Sequence, residues 1–255
     1  MVPAPGTQML LPQVAGLLKP GKALILRTTY AEHKRAVQLA SHAATEASDV
    51  GQLRDADLAI VVNPNNPDGR IVSRPELLSI ADELHQRSGI LVIDESFADV
   101  APDISLAGET NRDNIVVLRS FGKFFGLAGL RLGFAIASPH IANRLDAILG
   151  PWAVSGPAVA IGEKALADDK WKRRTLDRLA ADAKRLDELL TKAGLEIVGG
   201  MPLYRLTRSR DAGELFNRLG RAGILVRRFA EEPTWLRWGL PASENEWQRL
   251  GATLA

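Results

Sequence analysis

Cysteine is absent from the 255-residue chain. Its absence removes disulfides, thiolate metal sites and cysteine nucleophiles together, and it suits a reducing cytoplasm. Long apolar runs are missing as well: no stretch approaches the roughly 18 residues that a membrane span requires. The opening "MVPAPGTQML" has no basic residue ahead of its apolar ones, so it lacks the make-up of a secretory leader. Charge of one sign is not in excess either. With 32 basic against 30 acidic residues, the formal net charge of +2 gives no electrostatic case for nucleic acid. The basic cluster "KWKRR" at 170–174 reads as a solvated helix face. No G-x-G-x-x-G follows the first strand-like run, and "GLAGLRLG" stands before a strand instead of opening a helix. A nucleotide-binding Rossmann protein is therefore a weak reading.

What is present is an ordinary globular composition, 46% apolar and 24% charged. The length suits one large domain, or one large and one small. The chain opens on a Pro/Gly turn and a helix-like stretch, with no leading strand. Up to about residue 140, Val/Ile/Leu runs alternate with helical patterns. "ALILRT" precedes "YAEHKRAVQLASHA", "LAIVVN" precedes "RPELLSIADELHQRSG", and "ILVID", "IVVLRS" and "RLGFAIAS" follow. Such runs suggest strands buried on both faces of a mostly parallel sheet sandwiched by helices, an α/β fold. After "GPWAVSG" the pattern changes. Residues 157–193 read as helices, one long or several. The strand candidates "GLEIVGG", "PLYRLT", "GILVRRF" and "WLRWGL" then surround a helix at 211–222. This predicts a large domain over 1–160, then a linking helix and a small α+β domain over 161–255.

Three polar signals stand at the ends of buried runs. Asn63, Asn65 and Asn66 follow "LAIVV"; Asp94 and Glu95 close "ILVIDES"; Ser120 closes "IVVLRS", with Lys123 three residues beyond. In a parallel sheet these C-terminal ends share one edge, along which ligands sit. Each signal has a plainer reading: a turn for the asparagines, a helix cap for Asp94, a surface position for Lys123. Gly6 and Thr7 stand at a helix start, where free N–H groups favour a phosphate or Thr7 simply caps. Arg131, among glycines, has a guanidinium suited to two phosphate oxygens or to a surface ion pair. Taken together, an anion site, a carboxylate and a lysine point to a phosphorylated cofactor bound through an imine.

The segments "NPNNPDG", "VIDESF" and "SFGKFFGLAGLRLG" occur in the order and spacing of a known family. The chain resembles fold-type I pyridoxal-phosphate enzymes of the class I/II aminotransferase group, from about residue 4 to near its C-terminus. The resemblance implies pyridoxal 5'-phosphate as cofactor and a homodimer. It makes Lys123 the imine-forming amine and proton shuttle, and Asp94 the partner of the pyridinium nitrogen. Asn66 would bond the phenolic oxygen and Tyr30 would stack on the ring. Gly6, Thr7, Gln8, Ser120 and Arg131 would hold the phosphate, and Arg237 the substrate carboxylate. An apolar pocket around Lys123 would lower its pKa.

Two departures qualify the resemblance. Phe97 stands where aminotransferases usually have Tyr. Together with "PGTQ" and "TYAEH", it makes the chain similar to the threonine-phosphate decarboxylase branch, which serves cobalamin biosynthesis with aminopropanol phosphate. Histidinol-phosphate aminotransferase is the alternative. The second departure is that the segment family members carry before "PGTQ" is missing. A non-catalytic remnant that binds the cofactor is therefore a further alternative.

Overall fold

A computed structural model describes residues 1–255, which divide into two compact units. The first holds residues 1–66 and 70–168; the second holds 67–69 and 169–255.

The first unit runs β1 (Val2–Ala4), α1 (Thr7–Ala15), β2 (Lys22–Leu26), α2 (Glu32–Leu39), β3 (Ala43–Ala47), β4 (Leu58–Val62), α3 (Arg74–His85), β5 (Ile90–Asp94), β6 (Ile115–Ser120), β7 (Gly133–Ile136), α4 (Pro139–Leu149) and α5 (Gly156–Ala167). Its seven strands lie in the order β1-β7-β6-β5-β4-β2-β3. The β2–β3, β2–β4, β4–β5 and β5–β6 pairs are parallel, whereas β7 is antiparallel to both β6 and β1. The expected mostly parallel sheet is therefore present, and "RLGFAIAS" contributes its antiparallel member. The absence of a leading strand was a misreading. Val2–Ala4 form one, too short for an alternation signal and carrying Pro3, which a strand edge tolerates.

Both faces of the sheet are buried, as the unbroken apolar runs require. Ile60, Val92, Val116 and Leu118 face one layer with Leu10 and Val14 of α1, Val37 of α2 and Leu145 of α4. Val61, Leu91, Ile93 and Val117 face the other with Leu77, Ile80 and Leu84 of α3. Helix α3 starts where Ser73 Oγ accepts from Glu76 N–H, and Pro75 suits its first turn. Strand alternation continues this division to the strand ends: Asp94 and Ser120 fall on the α1/α2 side, Arg119 on the α3 side.

The second unit holds α6 (Asp169–Lys192), β8 (Glu196–Met201), β9 (Tyr204–Arg208), α7 (Ala212–Arg221), β10 (Arg227–Arg228), β11 (Trp235–Gly239) and α8 (Glu244–Leu254). Its strands form an antiparallel sheet in the order β10-β11-β9-β8. Leu186, Leu190, Leu219, Leu236, Trp238 and Trp247 form its core. The buried indole of Trp238 donates to Thr207 Oγ1 at 2.8 Å. The turn Pro67–Gly69 belongs here because Gly200 N–H donates to Asp68 O at 2.7 Å.

Candidate active site

Strand register aligns the rim. Asp94 is level with Val62 of β4 and Leu118 of β6, so the polar residues just beyond those strands come out along one edge. Asp94 is buried and hydrogen-bonded through both oxygens. His33 Nε2 lies 2.9 Å from Oδ2, while Ser96 N–H and Oγ–H donate to Oδ1 at 2.9 and 2.5 Å. Burial alone would push this carboxyl up. The His33 hydrogen bond and charge and the two Ser96 bonds outweigh burial and hold Asp94 below the ordinary carboxylate range. Asp94 thus remains an anion inside the protein.

His33 was not among the residues singled out from the sequence. It sits in "TYAEH", where a polar residue at the start of a helix resembles ordinary surface. Its signal is positional: one helical turn beyond Tyr30, it faces inward from α2, 1% exposed. Tyr30 meets it edge-on, ring centroids 6.0 Å apart at 85°. The Tyr30 hydroxyl donates to Gln8 Oε1 at 3.2 Å, and Gln8 Nε2 donates to Glu32 at 2.7 Å. Gln8, expected at a phosphate, has its side chain engaged by these two bonds, while its backbone N–H lies in the first turn of α1.

That first turn is built for close approach. Gly6 precedes α1 with φ +86° and no side chain caps the helix. Thr7 and Gln8 N–H therefore have no acceptor within the helix. A Cβ on Gly6 would fall 2.5 Å from Arg131 Nη2, and one on Gly133 would fall 2.6 Å from Thr7 N. The guanidinium of Arg131 thus lies against the helix start, held by a bond to Ala128 O at 3.1 Å. Arg131 itself has left-handed backbone, φ 52°. Ser120, half-buried at the end of β6, accepts from Gly122 N–H at 3.2 Å.

Lys123 occupies the turn after β6, with Nζ 5.4 Å from the centroid of the Phe97 ring. Lys123 is exposed, while Phe121, Phe124 and Phe125 are buried and pack on one another. The apolar run serves the core and leaves the amine outside it. Of the three asparagines, Asn63 exchanges hydrogen bonds with the Val72 backbone at 2.9 and 3.1 Å. Asn65 bonds Thr29 Oγ1 and Thr28 O. Asn66 is half-buried at the end of the series.

Behind the rim, on the α3 side, Glu95 accepts from Ser105 Oγ, Leu106 N–H and Arg119 Nη1 at 2.5, 2.6 and 3.1 Å. Arg119 also pairs with Asp99. Burial pushes Glu95 up, partly offset by these donors. In the second unit, Arg237 of β11 lies 5.0 Å from the Tyr204 ring centroid, and burial lowers its pKa. Arg227 is its cross-strand partner.

The aminotransferase class I and II family model matches residues 2–250. The chain is 41% identical over 257 residues to the threonine-phosphate decarboxylase of Pseudomonas aeruginosa, spanning all of this chain and 77% of that protein. It is 42% identical over 258 residues to that of a Sinorhizobium species, with the same coverage. In fold it is similar to the histidinol-phosphate aminotransferase of Sinorhizobium meliloti, solved in complex with pyridoxal-5'-phosphate. That likeness has a TM-score of 0.86 at 24% identity over 99% of this chain and 75% of the other. The chain belongs to the aminotransferase class I and II family.

Proposed function

We propose that this protein is a pyridoxal-phosphate enzyme that decarboxylates L-threonine O-3-phosphate to aminopropanol phosphate, a precursor for cobalamin. The observation that carries the chemistry is the single rim along which an exposed lysine, a buried anionic carboxylate and an uncapped helix start beside Arg131 are set. The substrate is argued from the whole-chain identity to threonine-phosphate decarboxylases.

The residues present fit the cofactor. Gly6 and Gly133 leave the helix start open beside Arg131, so a phosphate can meet Thr7 and Gln8 N–H and the guanidinium together. The anionic Asp94 suits a protonated ring nitrogen. Asn66 would bond the phenolic oxygen, Tyr30 cover the ring face and Ser120 join the phosphate. When bound, pyridoxal phosphate supplies an aldehyde that condenses with the substrate amine and a ring that accepts the electron pair of a breaking α-carbon bond.

The chain's own part is to orient and to move a proton. The pose in which the substrate is held would decide which α-carbon bond is broken. By the family resemblance Arg237 would hold the substrate carboxylate and so help to choose the pose. Lys123 Nζ would deliver a proton to the substrate α-carbon in place of the carboxylate lost as CO₂. Phe97 offers no hydroxyl at its position, so Asn66 would be a polar contact to the phenolic oxygen.

Incubating the holo-protein with threonine phosphate is expected to release CO₂ and aminopropanol phosphate. Amino transfer from histidinol phosphate without CO₂ would support the second reading, which family membership favours. A cofactor absorbance band without turnover of either substrate would mark a non-catalytic remnant. A homodimer is part of the proposal. Helix α5 exposes Val159, Ile161 and Leu166, and the preceding turn exposes Trp152 to 95%. Such an apolar face suits a second copy, and light scattering after gel filtration tests it. The absence of cysteine and of any helix long and apolar enough to cross a membrane supports a cytoplasmic setting.

A further inference from the structure

We infer that Gln8 is a positioning residue that fixes the ring of Tyr30 for stacking. The inference rests on the cofactor reading above and concerns how the stacking ring is held.

Tyr30 is an exposed ring, 43% accessible, on a short stretch between β2 and α2. A ring so placed has several staggered orientations open to it. Two contacts select one. Its edge meets His33, which is itself held on Asp94, and its hydroxyl reaches Gln8 at the start of α1. The direction of the second contact is set by chemistry. Glu32, the first residue of α2, presents a carboxylate oxygen, which only accepts, so the Gln8 amide must turn its NH₂ toward Glu32. Its carbonyl oxygen then faces Tyr30 and also only accepts, so the phenol must donate.

The order Tyr30 to Gln8 to Glu32 is therefore one-directional. It joins the helix start that would hold the phosphate to the ring that would cover the cofactor. A neutral amide is needed at position 8, because a carboxylate there would confront Glu32. Glu32 in turn lies 3.5 Å from Arg35, which keeps its charge in place.

The test uses purified protein titrated with pyridoxal phosphate alone, read by absorbance and by visible circular dichroism. Gln8→Met keeps bulk but loses both bonds; Tyr30→Phe keeps the ring but loses the hydroxyl. Each is expected to weaken cofactor binding about fivefold, the scale of one net hydrogen bond, and to diminish the dichroic band. The double variant should lose no more than either single, because both remove the same link. Gln8→Glu should behave like Gln8→Met, and adding Glu32→Gln should restore binding, since an acceptor again faces Tyr30 and a donor faces the new carboxylate.

Wild-type affinity and dichroism in Gln8→Met would overturn the inference, as would multiplicative effects in the double variant or no rescue by Glu32→Gln. Failure of the wild-type protein to give any cofactor band would overturn the cofactor reading itself, and this inference with it.

Discussion

Asp94 and Glu95 are neighbours in sequence, both buried, yet their pKa values move in opposite directions. Asp94 lies on the α1/α2 side, where His33 and Ser96 stabilise its charge. Glu95 bonds toward Ser105, Leu106 and Arg119 behind the rim. Burial dominates there despite three donors. The pair shows that depth alone does not decide whether a carboxylate is for chemistry or for architecture. The first keeps a charge beside the place where a cationic ring would lie. The second ties the end of β5 to β6 and the 95–106 segment.

The sharpest way to break this contrast is to neutralise each carboxyl in turn. Asp94→Asn should cut turnover of threonine phosphate by about 10²–10³-fold, the scale of a lost electrostatic partner in a dry site. Its effect on thermal unfolding at neutral pH should be the smaller one. Glu95→Gln should do the reverse, lowering Tm by about 3–10 °C through a weakened buried pair while kcat changes far less. Melting curves and steady-state rates on both variants decide it; equal losses in both would erase the distinction.

Acid titration sharpens it further. The folded pKa of Asp94 is depressed, so its contribution to stability is complete above its unfolded value, near pH 4, and fades as pH falls through the folded value. Glu95, raised by burial, contributes with the opposite sign: stability is lost as pH rises from its unfolded value through its folded one. Tm measured from pH 2 to 6 should therefore lose part of its acid slope in Asp94→Asn but not in Glu95→Gln. The smallest expected effect concerns the anion cradle. Gly6→Ala places a methyl against Arg131 and forces φ +86° on an alanine, and should weaken pyridoxal-phosphate binding about tenfold with a modest drop in Tm. Unchanged affinity by absorbance titration would place the phosphate elsewhere.

The rim was legible in the sequence because β4, β5 and β6 are buried on both faces, so a polar residue at the end of each run is conspicuous. The family and the fold followed from the same segments. Strand β3, "AATEA", was not foreseen: it is an edge strand, largely exposed, and carries no apolar run. His33 was missed for a different reason. Its significance lies in a partner distant in sequence, Asp94, and no local pattern records such a pairing. Nothing in "PGTQ" tells where the side-chain amide of Gln8 points. Lys123 misled because a run of Phe and Gly suggests enclosure, whereas the rings fold under and the amine stays out.

Arg131 bears a wider consequence. An arginine in left-handed backbone is about 1 kcal/mol worse off than in an ordinary turn, and glycine would adopt φ 52° without crowding. Folding therefore gives no reason to keep a side chain at that residue. A screen ranking variants by heat resistance alone would be indifferent to losing it, or would reward the loss, so durability and the proposed capture of an anion would be opposed at a single position.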